Sequence, residues 1–337
     1  MNSPVVLFID PKLPLELEWI EHLDQSAGLQ LMAPTDSNSA SLEALLPLAH
    51  FIVTQHALIS DLIIGAAPHL RMIQRYGTRA DGIDLSAAKQ AGVLVATMPL
   101  HGCIAVAELA MTLILSLSKS LIRGHVSTVN GAYRSLGLEP IRTEQRVHKF
   151  QWMKLSGLVE VVGLTLGIVG FGEIGTETAR RARAFGMTVV YTKRNRLSTE
   201  IERIEGVTYA GLDELLGISD FVLVAAPHTP DTDKIIGVRE LALMKKSAFL
   251  VNISRGGTID EGALVTALQE RQIAGAGLDV FLFEPVPFDH PLLQCDNVIL
   301  TPHIGGGTGG ARDRQMGDVM ANIQRLLNNL QISHRVV

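Results

Sequence analysis

Short apolar runs alternate with segments of helical period along almost the whole chain, a pattern that predicts parallel sheets covered by helices on both faces. Over the first hundred residues the expected strands are Val5–Ile9, Phe51–Thr54, Met72–Gln74 and Val93–Ala96, separated by helical patterns such as Leu15–Leu23 and Leu85–Ala91. A second, sharper series follows: Thr165–Val169, Thr188–Tyr191, Phe221–Ala225, Ala248–Ile253, Gly275–Val280 and Val298–Leu300. Helical segments Ile174–Phe185, Val238–Met244 and Glu261–Arg271 lie among these strands, and Thr308–Leu330 reads as one more helix. The expected fold class is α/β, with two doubly wound parallel-sheet domains of Rossmann or flavodoxin type and a cleft between them.

Two stretches break the rhythm. Val106–Ile122 is apolar enough to raise the question of a membrane span, but Glu108 and Lys119 interrupt it. It also falls short of the roughly 20 residues a bilayer core requires, so a buried helix is predicted. Gly124–Val162 is polar and basic, with Arg134, Arg142, Arg146, His148 and Lys149 ahead of Trp152. It has no clean period and is expected to be an irregular connection or an arm between subunits.

Composition bounds the function classes. At 337 residues the chain should form about two domains. An apolar fraction of 47% with 19% charged residues is ordinary for a soluble globular protein. A net charge of −5 with mixed signs gives no reason to expect nucleic acid or a membrane surface as partner. Cys103 and Cys295 show no metal-ligand spacing, and reduced thiols in a cytoplasmic protein are expected. The opening MNSPVVLFID lacks the basic segment and long apolar run of a signal peptide.

The strand LTLGIV runs into GFGEIG, which sets Gly170, Gly172 and Gly175 in a G-x-G-x-x-G turn at the start of a helix. The first glycine allows the tight turn, the second lets a pyrophosphate approach the backbone, and the third lets helix and strand pack closely. The helix N-terminus adds free N–H groups and a partial positive charge. Strand, turn, helix and second strand occur in the order a dinucleotide site requires. That second strand ends in VVYTKRNR, where an NAD site usually carries an acid for the ribose 2′-hydroxyl. Here stand Lys193, Arg194 and Arg196, with no acid between Glu177 and Glu200. Lys193 and Arg194 suit the 2′-phosphate of NADP. Each charge-assisted hydrogen bond contributes roughly 1.5–3 kcal/mol, and a total of about 3 kcal/mol would give on the order of a hundredfold preference. The plain alternative is a set of solvated charges beside a site that takes NAD.

Polar residues recur at three further strand ends, where ligands bind in open α/β sheets. Arg255 follows FLVNIS, Asp279 and Glu284 fall in AGLDVFLFEP, and His303 follows VILTP. Taken singly, Arg255, Glu284 and His303 are a surface charge, a turn residue and a structural histidine. Together they describe reduction of a 2-oxo acid. The fork of Arg255 holds a carboxylate or polarises a carbonyl, hydride comes from a nicotinamide, and His303 protonates the developing alkoxide. Glu284 would hold the other imidazole nitrogen.

These residues sit in LGIVGFGEIG, VNISRGGTIDEGALVTAL, AGAGLDVFLFEP and LTPHIGGGT, with VAELAMTLIL earlier. In that order, and over nearly the whole chain, the pieces resemble the D-isomer-specific 2-hydroxyacid dehydrogenases. The resemblance implies a nucleotide-binding domain over 103–305, inserted in a discontinuous substrate domain of 1–102 and 306–337, and a homodimer. It gives Arg255, Glu284 and His303 the catalytic roles and Asp279 the nicotinamide carboxamide. Further cofactor contacts would come from Glu173, Ile174, Pro227, Thr232, Ile253, His303 and Gly305. The family's substrate-carboxylate loop is similar to RYGTRADGID, so Gly77, Thr78 and Arg79 would face the acid. Arg79 stands where a small residue is usual; it would contact a second anionic group or pair with Asp81 or Asp84. Thr97 departs from an Asn often found there. The basic strand end resembles the NADP-preferring glyoxylate/hydroxypyruvate reductase branch. A phosphoglycerate dehydrogenase-like enzyme and a dinucleotide-sensing corepressor are the alternatives. No metal site is visible.

Overall fold

The computed structural model describes residues 3–10, 28–34, 39–55, 57–77, 79–80, 82–307 and 310–337. The helix expected over Leu15–Leu23, and also Thr78, Asp81 and Thr308, lie outside the described residues. The chain divides into two compact units, Met1–His101 with Gly309–Val337, and Gly102–Thr308.

The smaller unit carries β1 (Val5–Phe8), β2 (Gln30–Met32), β3 (Ala49–Thr54), β4 (Met72–Tyr76) and β5 (Leu94–Met98). They form one sheet in the order β2-β1-β3-β4-β5, parallel at every pairing. Strand β2 escapes the apolar pattern because it is short, with Gln30 exposed and Leu31 and Met32 half-buried. One face is covered by Ile64, Ala88 and their neighbours. The other is covered by Met316, Val319 and Ile323 of the helix Ala311–Leu327. That helix is tied to the sheet inside the core, where Asn322 Nδ2 donates to Gln74 Oε1 at 2.8 Å.

The larger unit carries β6 (Thr165–Val169), β7 (Thr188–Thr192), β8 (Thr208–Tyr209), β9 (Phe221–Val224), β10 (Phe249–Asn252), β11 (Gly275–Leu278) and β12 (Val298–Leu300). All are parallel, in the order β12-β11-β10-β9-β6-β7-β8. The chain leaves β6 toward β7 on one side and later returns to β9 on the other. The C-terminal ends of β6 and β9 therefore flank a topological switch point, where such sheets open a crevice for ligands. Two-residue β8 offers no alternation to read.

The apolar stretch after residue 100 is two helices, His101–Ser118 and Leu121–Val129, with Ser120 between them in the left-handed region at φ 46°. The first is the one described helix long and apolar enough to cross a membrane, and half of it is buried. Its residues Ala110, Leu113, Ile114 and Leu117 pack with Leu166, Ile168 and Leu223 of the sheet. The irregular segment expected from Gly124 begins instead inside Leu121–Val129. A 3-10 turn follows at Ala132–Leu136, and beyond it there is almost no regular structure.

Candidate active site

The glycine turn sits at the switch point. Gly170 closes β6 at φ 93°, and a Cβ there would lie 2.4 Å from the backbone of Ala226 beyond β9. A Cβ on Gly175 would lie 2.9 Å from the Gly170 carbonyl oxygen. Both glycines are fixed by the protein's own packing. Gly172 is different: a Cβ there would meet nothing within 4 Å. It precedes the helix Glu173–Ala184, which no side chain caps. Open space above an uncapped helix start is what a pyrophosphate needs, and these residues fit a dinucleotide.

The end of β7 is organised from below. Tyr191 is fully buried, with its ring centroid 4.6 Å from that of Phe171 in the glycine turn. Its hydroxyl donates to Glu202 Oε1 at 2.8 Å and accepts from the Leu197 N–H at 2.9 Å. Burial first, then the bond to Glu202, pushes the Tyr191 phenol up to about 12. Arg196 spreads its fork over both oxygens of Glu202 at 2.8 and 2.9 Å and lies over the Tyr209 ring. This pairing, with the Tyr191 bond second, holds the Glu202 carboxyl below its ordinary range. Arg196 is thus committed to structure. Arg194, expected as a cation open to phosphate, is ion-paired with Asp231 from the loop after β9.

That loop is knotted on itself. Thr232 Oγ1 donates to the Pro227 carbonyl and accepts from the Thr229 N–H at 2.8 Å. The Thr232 hydroxyl, expected at the cofactor, thereby serves the loop. The loop also rests on the next one: Lys234 N donates to Gly257 O at 2.8 Å, and a Cβ on Gly257 would come within 2.6 Å of the His228 ring.

Arg255 ends the β10 turn beyond buried Ile253, exposed and with Nη1 donating to Ser254 O at 2.7 Å. Asn252 shapes this turn, accepting from Ser254 N and Oγ and donating to Arg255 O at 3.1 Å. Gly256 brings it against the next strand end, since a Cβ there would lie 1.9 Å from the Phe281 carbonyl carbon. Sequence reasoning passed over Asn252, whose signal was a polar residue closing an apolar strand.

Glu284 and His303 meet. His303 Nδ1 lies 2.6 Å from Glu284 Oε2, while Glu284 Oε1 accepts from the Phe281 N–H at 3.0 Å. The imidazole contact, helped by the Phe281 amide and more weakly by Arg255, holds the Glu284 carboxyl below the ordinary carboxylate range. His303 itself stands at φ 54°. Asp279 fixes that loop from inside: it is 2% exposed and accepts from Thr301 Oγ1 at 2.7 Å and from the N–H groups of Ile304 and Gly305, both at 2.9 Å. Asp279, expected at the carboxamide, is in this structure the anchor of the His303 loop. An apolar pocket lined by Phe281, Val286, Leu293 and Leu300 adjoins the Glu284–His303 pair.

In the smaller unit, Gly77 follows β4 at φ 108° and exchanges both backbone hydrogen bonds with Met98. Its N–H is spent on the Met98 carbonyl at 2.7 Å, so the expected anion-binding amide is not that of Gly77. Arg79 is half-buried.

Residues 111–305 match the family model for the NAD-binding domain of D-isomer-specific 2-hydroxyacid dehydrogenases. The chain is 38% identical over 293 residues to a glyoxylate reductase of Thermococcus onnurineus, covering 86% of this chain and 84% of that enzyme. It is 40% identical over 266 residues to the glyoxylate reductase of Thermococcus kodakarensis, covering 79% and 76%. A crystal structure of a glyoxylate reductase from Paecilomyes thermophila matches with a TM-score of 0.58 at 28% identity, covering 100% of this chain and 99% of that one.

Proposed function

The chain belongs to the D-isomer-specific 2-hydroxyacid dehydrogenases, and we propose that it reduces a small 2-oxo acid of the glyoxylate or hydroxypyruvate type to the D-2-hydroxy acid, with NADPH preferred over NADH. It is an oxidoreductase that uses a nicotinamide dinucleotide. The observation that carries the reading is the 2.6 Å contact between Glu284 and His303, with the turn that leads to Glu284 packed against that of Arg255.

When bound, the nicotinamide supplies hydride to the carbonyl carbon. Arg255 fixes the substrate through its planar fork, aligning carboxylate and carbonyl oxygen. His303 gives a proton from Nε2 to the alkoxide oxygen, with Nδ1 tethered to Glu284. A further substrate contact is assigned to Arg79. Gly170, Gly172, Glu173, Ile174 and Gly175 would hold the pyrophosphate, and Lys193 and Arg194 the 2′-phosphate.

The working form is read as a cytoplasmic homodimer. Between residues 121 and 162 the chain exposes Leu121, Val126, Val129, Val147, Phe150 and Val162, each by at least 47%. These side chains are assigned to the contact with a second copy.

A panel of 2-oxo acids assayed with both NADPH and NADH tests the reading. The highest kcat/KM is expected for glyoxylate or hydroxypyruvate with NADPH. Failure of every acid to oxidise either cofactor would instead favour a dinucleotide-sensing binding protein.

A further inference from the structure

The end of β7 carries no acid of its own, but one from elsewhere in the chain reaches it. The loop Pro227–Lys234 has three charged side chains beside His228, and two are engaged away from β7. Asp233 contacts His228 Nε2 at 2.8 Å, and Lys234 contacts Asp260 at 3.1 Å. The third, Asp231, pairs with Arg194. Its place is set by the Thr232 hydroxyl, which closes the loop on Pro227 and Thr229. Arg194 follows β7 directly, while Asp231 comes from the loop after β9, so the pair spans the ends of strands on both sides of the switch strand β6.

We propose that Asp231 sets how strongly the site discriminates between the two nicotinamide dinucleotides. The inference rests on the reading that Arg194 faces the adenosine ribose. A 2′-phosphate has to share the Arg194 fork with a carboxylate and also feels that carboxylate's like charge. A 2′-hydroxyl feels no such repulsion and can donate a hydrogen bond to Asp231, as it would to the usual strand-end acid. The ribose end is therefore a site of mixed sign. Lys193 and Arg194 favour NADPH, Asp231 favours NADH, and the preference falls below the hundredfold that two unopposed cations would give.

The test is calorimetric binding of NADPH and NADH to the wild-type protein, Arg194→Ala, Asp231→Asn and Asp231→Glu at low salt. A screened charge a few ångströms from a doubly charged phosphate is worth about threefold to tenfold. Asp231→Asn is expected to tighten NADPH by that factor and to leave NADH unchanged or weaker, with the gain shrinking in high salt. Asp231→Glu, which keeps the charge, should hold the wild-type ratio of dissociation constants within about twofold. Arg194→Ala is expected to weaken NADPH about tenfold. If it does so while Asp231→Asn leaves the preference for NADPH over NADH unmoved or weakens it, this inference fails and the NADPH reading stands. If Arg194→Ala leaves NADPH binding unmoved, the reading and the inference fall together. Both side chains are about three-quarters exposed, so the variants should fold as the wild type does.

Discussion

Glu284 Oε2 lies 2.6 Å from His303 Nδ1, and the same carboxylate accepts from the Phe281 amide through its other oxygen. This arrangement fixes the imidazole by one nitrogen; among the described residues, Nε2 has no hydrogen-bond partner. Because the contact holds the Glu284 carboxyl low, the anion persists through neutral pH and is lost only as pH falls through its depressed value. An acid limb in kcat/KM arising from Glu284 should therefore lie below the ordinary glutamate value of about 4.3. Glu284→Gln should lower kcat by about 10- to 100-fold, abolish that limb, and leave the NADPH dissociation constant within about twofold. An unchanged pH profile in the variant would mean the pair does not govern the reaction.

The β10 turn tests the packing that supports the site. A Cβ at Gly256 would come within 2.3 Å of three backbone atoms of Phe281 and Leu282, which no rotamer change relieves. Gly256→Ala should cost about 1–3 kcal/mol of stability, a typical overpacking penalty. It should also lower kcat by displacing Arg255 and Glu284 together. Thermal melts and turnover measured side by side would check both.

Tyr191 gives a pH signature of the dinucleotide half. Its folded phenol is raised to about 12 against an unfolded value near 10. The folded state therefore holds a proton that the unfolded state releases between those values. The stabilisation is complete below about pH 10 and is lost as pH rises toward about 12, to the extent of roughly 3 kcal/mol. Tyr191→Phe should be less stable at neutral pH, having lost the bonds to Glu202 and Leu197, yet should fall less steeply in alkaline unfolding titrations. Parallel alkaline slopes would mean that Tyr191 does not set the alkaline loss of stability.

Arg79 tests the substrate side. If it contacts a second anionic group, Arg79→Ala should reduce kcat/KM for dianionic 2-oxo acids about tenfold relative to monoanionic ones. Equal losses for both classes would assign it to structure.

The apolar string of residues 121–162 predicts its own outcome. Val129 and Phe150, 69% and 89% exposed, are candidates for burial against a second copy. Val129→Asp combined with Phe150→Asp should shift the sedimentation of the protein from dimer to monomer without loss of helical signal. A wild-type monomer would contradict the assignment.

The second sheet was legible because β6, β9, β10 and β11 are buried throughout or nearly so, and burial on both faces writes itself as unbroken apolar runs. β2 and β8 carry too few buried residues to leave such a trace. The positions of Arg255, Glu284 and His303 were readable as polar interruptions at strand ends, and their local order carried the family resemblance. Their supports were not readable. The partnership of Arg194 with Asp231 joins residues 37 apart, and the anchoring of the His303 loop by Asp279 depends on which backbone amides the fold turns inward. Pairings of this kind are set by loop geometry, which single-residue patterns do not record.

Proton delivery by His303 is open to test by a single variant. For His303→Ala, kcat for glyoxylate with NADPH should fall by about 10²–10⁴-fold, the usual range for loss of a general acid. The NADPH dissociation constant, measured on the same preparation, should stay within about twofold of wild type. Turnover near that of the wild type would contradict the mechanism.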